Sequence, residues 1–584
     1  MNRSIALASS AFCMAVQVAA ISAPAVAAGQ DALTVASPLV VPQTRQMSAL
    51  TIRPDGSIAA PEGRNLTLTV DGKVVDAQPG SYKGAIVLTV TDNIPLRPML
   101  GGDPYAVSAA LYVDGGVVAA RSVLAATGGA RITDSEADGI RLNAAERGFN
   151  GIIITGKSDY VLNKPDIVLS SDGGDDSIGY GAAISIGGDA RVTINAPRIR
   201  TTGVIRTGIF IDGQSDVTVN DADIETFGGT LPADYKFSIL PGQMMEVPYG
   251  LGISGNTRST NIQGTATVRY NRARIRAHGW GALATDGAGP AHLFVKDSRI
   301  EVLDSGYAIY ANGESKDVVD NSVLTAPDYG LIIGGPGSAT FTNGSRVSSG
   351  KYGVMMHQGS GGGTLLIDKG SRFDTKLTGI VVKGRGTTII IDQAQFAAAN
   401  GILLQTMEND DPIMRDMMRA GPPPQGDPRD VGTPAEPAPG TGGPVYSGDT
   451  LATIRNTALQ GDVMHALPGK ALSLTLEDAR LTGRISTATA RPASGKEPTR
   501  ETFKEVSNVV NTIGQADASQ KLTVTLSGAS QWEVTGASWL NGLTIGKGAQ
   551  LVAPAGKVVK MTVDGRNVRL RPGSYSGAIL IDIQ

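Results

Sequence analysis

The chain has 584 residues, 75 of them glycine, with 5% aromatic and 18% charged residues. Its formal net charge of −3 excludes the strongly basic overall balance of a nucleic-acid-binding domain. A single cysteine excludes a disulfide framework, and many glycines among few helix formers is the composition of a β-rich repeat protein.

Residues 1–27 read as a secretory signal peptide. Arg3 supplies the positive start, Ile5 to Ile21 the short apolar run, and Ala25-Val26-Ala27 a small-residue cleavage site. A membrane anchor is the alternative, but the run is short and carries Ser and Gln. Cys13 lies inside this segment, and Ser10-Ala11-Phe12 before it is a poor lipoprotein cleavage box. The mature chain is then thiol-free, and no later apolar stretch is long enough to span a bilayer. The expected location is periplasm, cell surface or medium.

Residues 28–100 form an N-terminal β-meander module. Leu66-Thr-Leu-Thr-Val70 runs into Asp71-Gly72, a strong hairpin signal, and Pro79-Gly80 makes a second turn. The module returns in residues 561–584 as Val563-Asp564-Gly565 and Pro572-Gly573-Ser574-Tyr575, at a constant offset of 493. Paired modules suit capping of exposed strand edges, or a shared docking role.

Residues 101–405 carry one recurring sentence: a glycine, three or four mostly apolar residues, then a polar one. It reads Gly208-Ile-Phe-Ile-Asp, Gly250-Leu-Gly-Ile-Ser, Gly281-Ala-Leu-Ala-Thr and Gly306-Tyr-Ala-Ile-Tyr, and continues from Gly330, Gly353, Gly379 and Gly401. From Gly281 the spacings are 22 to 26 residues. That period, with short β-rich segments and no 3.6-residue apolar rhythm, predicts an all-β fold: a right-handed parallel β-helix with three strands per coil. A loop at 228–249 interrupts the rhythm. Residues 406–446 do so again, Met-rich first and then Pro/Gly-rich from Gly421 to Pro444. Coils resume over 447–560, with a polar excursion at 490–518 that accommodates a short helix.

The last coils contain Trp532-Glu-Val-Thr-Gly536-Ala-Ser538-Trp-Leu540. This run, the coil sentence and the Val-Asp-Gly…Pro-Gly-Ser-Tyr module together resemble adhesin-like bacterial β-helix proteins akin to autotransporter passengers. The resemblance is one of repeat style over most of the mature chain and implies fold and export. It departs at the C-terminus, where no membrane barrel follows.

Strand alternation points the first and third residues after each glycine inward, and the second and fourth outward. The fourth-position column, Asp212, Ser254, Thr285, Tyr310, Gly334, His357, Lys383 and Gln405, is then a polar ladder. The second-position column, Phe210, Gly252, Leu283, Ala308, Ile332, Met355, Val381 and Leu403, is largely apolar yet outward, which calls for a cover or a ligand. The loops at 228–249 and 406–446 supply a cover. Between them they frame candidate ligand-binding residues Tyr249, Arg258, Asp286, Tyr310, His357, Lys383 and Gln405. His357, Arg258, Asp410 and Asp411 are the candidates for acid/base work.

A solvated face with packed-down loops is the bland alternative. Asp172, Asp175 and Asp176 offer oxygen ligands for Ca²⁺ without EF-hand spacing, so a solvated turn competes with a metal site. Met355-Met356-His357 raises copper, against adaptable packing. No other cofactor is expected. The functional expectation is an exported, adhesin-like binding module for glycan or another envelope or host-surface partner. The alternative is a polysaccharide lyase or hydrolase in a loop-walled groove. Convergence of His357, Arg258, Asp410 and Asp411 favours the enzyme, and dispersal favours the binding module.

Overall fold

The computed structural model describes residues 31–287, 289–357, 362–384, 386–420, 448–515 and 519–584. The signal-peptide segment 1–27 and the Pro/Gly stretch 421–444 lie outside them. The chain is a parallel β-helix with three strands per coil. One coil runs Gly281–Thr285, His292–Lys296, Arg299–Val302, and the next begins at Tyr307–Asn312. Each strand pairs in parallel with its counterpart one coil on. Among the described residues the three sheets hold 14, 18 and 15 strands, called here the first, second and third sheet in coil order.

Exact register makes one core of many coils. Leu283, Ile309, Leu331, Val354, Ile380 and Leu404 stand in line on the first sheet and all point inward. Phe373 stacks on Phe396 in the interior and meets Phe341 edge to face, each pair with centroids 4.9 Å apart.

The turn from second to third sheet bends through one residue of positive φ, such as Ala196, Asp221 and Arg272. A non-glycine residue there costs roughly 1–2 kcal/mol. A side-chain ladder beside it offsets that cost: Asn195 donates to Asn163, Asn220 to Asn195 and Asn271 to Asn220, each at 3.0 Å.

The recurring glycine marks the corner into the first sheet. A Cβ on Gly353 would lie 2.8 Å from the Gly379 carbonyl oxygen and 2.9 Å from the Phe396 ring. On Gly330 it would lie 2.3 Å from Val347. Third-sheet side chains fill the corner, so only a small residue fits. Alanine or serine also serves: Ala183, Ser259, Ala282 and Ala308 occupy this place in other coils. The glycine-based register is therefore displaced by one residue at Gly281 and by two at Gly306; at Gly401, where Leu403 lines up with the corner beside an irregularity in the pairing, it is also displaced by two. Gly250 lies in a short turn, Tyr249–Leu251, and the strand of that coil is Arg258–Ile262.

The repeated terminal modules share more than the meander. Arg45–Ile52 pairs with Gly80–Asp92 as Ser538–Ile545 pairs with Gly573–Ile583, with a bulge at the same place in both. Asp71 accepts the Ala85 N–H at 2.8 Å, and Asp564 accepts the Ala578 N–H at 2.9 Å. The modules differ in what lies beyond. Val74 is fully buried against the first coil, whereas its equivalent Asn567 is exposed on the outermost strand of its sheet.

Among the polar residues on inward positions, one carries a carboxyl group into the apolar interior. Asp317 stands in the interior column of Val268, Leu293, Ala339 and Leu365. Its carboxyl meets the Thr285 hydroxyl at 3.0 and 3.2 Å. Burial pushes it well above the ordinary carboxylate range, against the opposing pull of that hydrogen bond. The native state thus keeps this proton to higher pH than the unfolded chain does. Its contribution makes stability fall as pH rises above about 4, until the native carboxyl itself ionises. Asp317→Asn removes that slope. Denaturant unfolding across a pH series is expected to show the variant gaining on the wild type by up to about 1.4 kcal/mol per pH unit above pH 4. Parallel stability curves would contradict the assignment.

Candidate functional site

The first sheet presents three outward columns. One runs Arg258, Gly281, Tyr307, Tyr329 and Tyr352. The second runs Asn261, Ala284, Tyr310, Ile332, Met355, Val381 and Gln405. The third holds Asp286, Asn312, Gly334, His357, Lys383 and Met407 on successive coils. Gly334, His357 and Lys383 stand in the column assigned to them from the sequence. Tyr310 and Gln405 stand one column over, and Thr285 points inward, because of the displaced glycine register.

The apolar part of this face is covered. Val247, Leu251 and Ile253 pack on Trp280, Tyr307, Tyr329, Ile332, Tyr352 and Met355 in a second hydrophobic cluster outside the coil. The loop at 228–249 and the start of the 406–446 insertion both take part. A third segment, 503–509, joins them. Tyr352 donates to the Val506 carbonyl at 3.3 Å, and Ser507 donates its N–H to Asp410 at 2.7 Å. Arg500 reaches Glu246, and Arg415 reaches Glu497, so the segments are tied to one another. Tyr249 belongs to the cover, its ring 4.8 Å from Phe237 and beside the Arg500 guanidinium.

Two polar clusters sit under or beside this cover. The first is built on Arg258, which is 2% exposed. Its Nε donates to Asp176 at 2.9 Å, its Nη1 lies 2.5 Å from Asp286, and its guanidinium stands 4.6 Å from the Trp280 ring centre. Burial alone would lower its pKa, but the two carboxylates hold it well above the ordinary value, so it stays charged. Asn312 donates to Asp286 at 3.2 Å. Gly281 leaves room for the Tyr307 ring, and Gly334 for the Tyr310 hydroxyl. A cleft of about 240 Å³ opens here, lined by Asp176, Arg258, Gln263, Asp286, Tyr307 and Tyr310, with Met244 and Met99 at its edge.

The second cluster pins the helix Pro412–Ala420. Asp411 caps it, accepting the Ile413 N–H at 2.8 Å, and its other oxygen lies 3.3 Å from His357 Nε2. Burial pushes the Asp411 carboxyl up. The hydrogen bond and charge of His357, with the Ile413 N–H and Lys383, bring it below its ordinary value. Lys383 is fully buried, with Nζ 2.5 Å from Asp410. Gly250 must lack a side chain here, because a Cβ would lie 1.9 Å from Asp411. Gln405 accepts from Asn511 at 2.6 Å.

His357 therefore meets Asp411, and Asp410 meets Lys383 one coil on, but Arg258 does not join them. Its partner Asp286 stands three coils from His357, about 14 Å at ~4.8 Å per step. The three loop aspartates face different groups. Asp172 accepts the Val204 N–H, Asp175 binds Ser177, and Asp176 binds Arg258. Among the described residues no group of three or more potential ligand side chains is gathered for a metal. Met355 faces the cover and Met356 the interior, so they do not share a site with His357. Trp280, Tyr307, Asn312 and Gln263 were not legible as site residues, because their register depends on the corner rule rather than on glycine.

Against models of known protein families and against curated proteins, the chain matches none.

Lys383→Met is expected to leave Asp410 buried without its cation and to cost about 3–5 kcal/mol, felt first in the cover. Limited proteolysis checks this: residues 408–420 become cleavable while the coil stays resistant, and adding Asp410→Asn restores most of the protection. A single variant as resistant as the wild type would contradict the pin.

Proposed function

We propose that the chain is an exported, adhesin-like β-helix protein that binds a glycan of the envelope or of a host surface, and that the cleft at Arg258 seats it. The observation carrying this reading is a set of planar polar groups, Arg258, Asp286 and Gln263, lining the cleft beside Tyr310, with Asn312 holding Asp286. Such groups match paired sugar hydroxyls, and an aromatic face matches the C–H face of a pyranose. The contacts joining Arg258, Asp286 and Asn312 hold those three in place before a ligand arrives, which reduces the ordering cost of binding.

Binding is favoured over glycan cleavage by geometry. A glycosidase sets two carboxyl groups on opposite sides of a bond between them. Here Asp176 and Asp286 both face one guanidinium. Export rests on residues 1–27, and surface presentation on the adhesin-like repeat style.

A glycan array read together with cell fractionation tests the proposal. The wild type is expected outside the cytoplasm and on a restricted set of glycans. Asn312→Ala and Gln263→Ala each lower affinity about tenfold, the loss of one or two hydrogen bonds, with little change in melting temperature. An array with no glycan bound, or a cytoplasmic protein, ends this reading. A released reducing end would favour the enzyme instead.

A further inference from the structure

The third sheet is open to solvent and carries an outward column of its own. Arg141, Arg198, Arg274, Arg299, Arg346 and Arg372 occupy it, with Asp166 and Asp223 as its acids and Val323 and Gln395 completing the series. All six arginines are exposed. This runs against the chain as a whole, whose net charge is negative. It also runs against the equivalent column of the second sheet, where Asp159, Arg191, Asp216 and Lys316 balance.

The adjacent column partly neutralises the arginines. Glu301 pairs with Arg274 and Arg299, and Asp374 with Arg372, while Glu225 pairs with Arg200 and Arg276 of its own column. Arg141, Arg198 and Arg346 have no ion pair among the described residues. Arg274 lies directly opposite Arg299, and Arg346 directly opposite Arg372. Like charges facing each other across neighbouring strands destabilise a sheet. Such a column gains from an external anion. At its start, Arg141, Lys164 and Arg198 surround Asp166 in a shallow hollow of about 430 Å³.

We infer that this face is a docking strip for a linear acidic polysaccharide, one bearing carboxylate or sulfate along an extended chain. From Arg141 to Arg372 the column spans eight coil steps, about 38 Å at ~4.8 Å each. That step is close to the length of one extended pyranose residue, so Arg274 with Arg299 and Arg346 with Arg372 meet successive sugars, and Arg141 and Arg198 meet sugars two apart. Arginine pairs with carboxylate or sulfate through two parallel N–H bonds. Duplex DNA presents a charge every ~1.7 Å of its axis on a curved surface and fits a flat, straight strip poorly. The strip lies on a different sheet from the Arg258 cleft and does not depend on the reading of that cleft.

The test is fluorescence anisotropy with labelled polygalacturonate and heparin oligomers, with dextran and duplex DNA as comparators, at low and physiological salt. The full chain is expected to bind the two acidic polysaccharides, more weakly as salt rises, and not dextran. The triple variant Arg141→Gln, Arg198→Gln, Arg346→Gln should bind them at least about tenfold more weakly with a shallower salt dependence, because three cations no longer release counterions. Its melting temperature stays near that of the wild type. Asn312→Ala leaves this binding unchanged, which separates the strip from the cleft. Preference for polygalacturonate identifies carboxylate as the anion, and preference for heparin identifies sulfate. Absence of wild-type binding at low salt, equal binding by the triple variant, or duplex DNA bound as tightly as the polysaccharides overturns the inference.

Discussion

Everything in this molecule depends on coils stacking in strict register. A single coil has no interior to bury, since its inward residues have nothing above or below them. Stacked, the same residues become continuous apolar columns, and each new coil meets a matched surface. The constraint falls hardest at the corner into the first sheet, where Val347, Thr375 and Phe396 fill the space a side chain would need. Small residues recur there for that reason. The left-handed residue at the second-to-third turn is sustained by the same stacking, because the asparagine ladder exists only when neighbouring coils align.

Register also dictates what the outer surface can be. A side chain repeated in each coil becomes a column, and a column has collective properties that no single residue has. On the first sheet two outward columns are largely apolar and aromatic beside a polar one, and three excursions from the solenoid fold down over them. Buried ion pairs join the cover to the coils. On the third sheet a column is basic and stays exposed. The second sheet is close to neutral. One backbone therefore presents three chemically distinct faces, decided by which outward position each strand devotes to which residue type.

The end modules address the opposite problem. A solenoid end leaves strand edges and interior columns open. Both ends use the same antiparallel meander, down to the aspartate that accepts an N–H across the hairpin and the bulge in the preceding strand. The far face of the first copy is packed on a coil and buries Thr67, Thr69 and Val74. The equivalent positions in the second copy are Lys560, Thr562 and Asn567, which suits a surface facing water.

Much of this was readable from residues alone. The 22–26-residue period, the alternation of strands and the duplicated Val-Asp-Gly module determine an all-β parallel coil with related ends, because these signals are local and repeat many times. The sequence also showed that an outward apolar strip needed a cover, since alternation fixes which side of a strand faces out. What the sequence left undecided was long-range and singular. Glycine does not mark every corner, so Ala282 and Ala308 hid the true register and moved Thr285 and Tyr310 to other columns, and Leu403 with the irregularity beside it moved Gln405. Arg258 and Asp176 lie 82 residues apart, and Ser507 and Asp410 lie 97 apart. Those meetings depend on how many residues each excursion inserts and how it folds back, and only the stacked tertiary structure decides that.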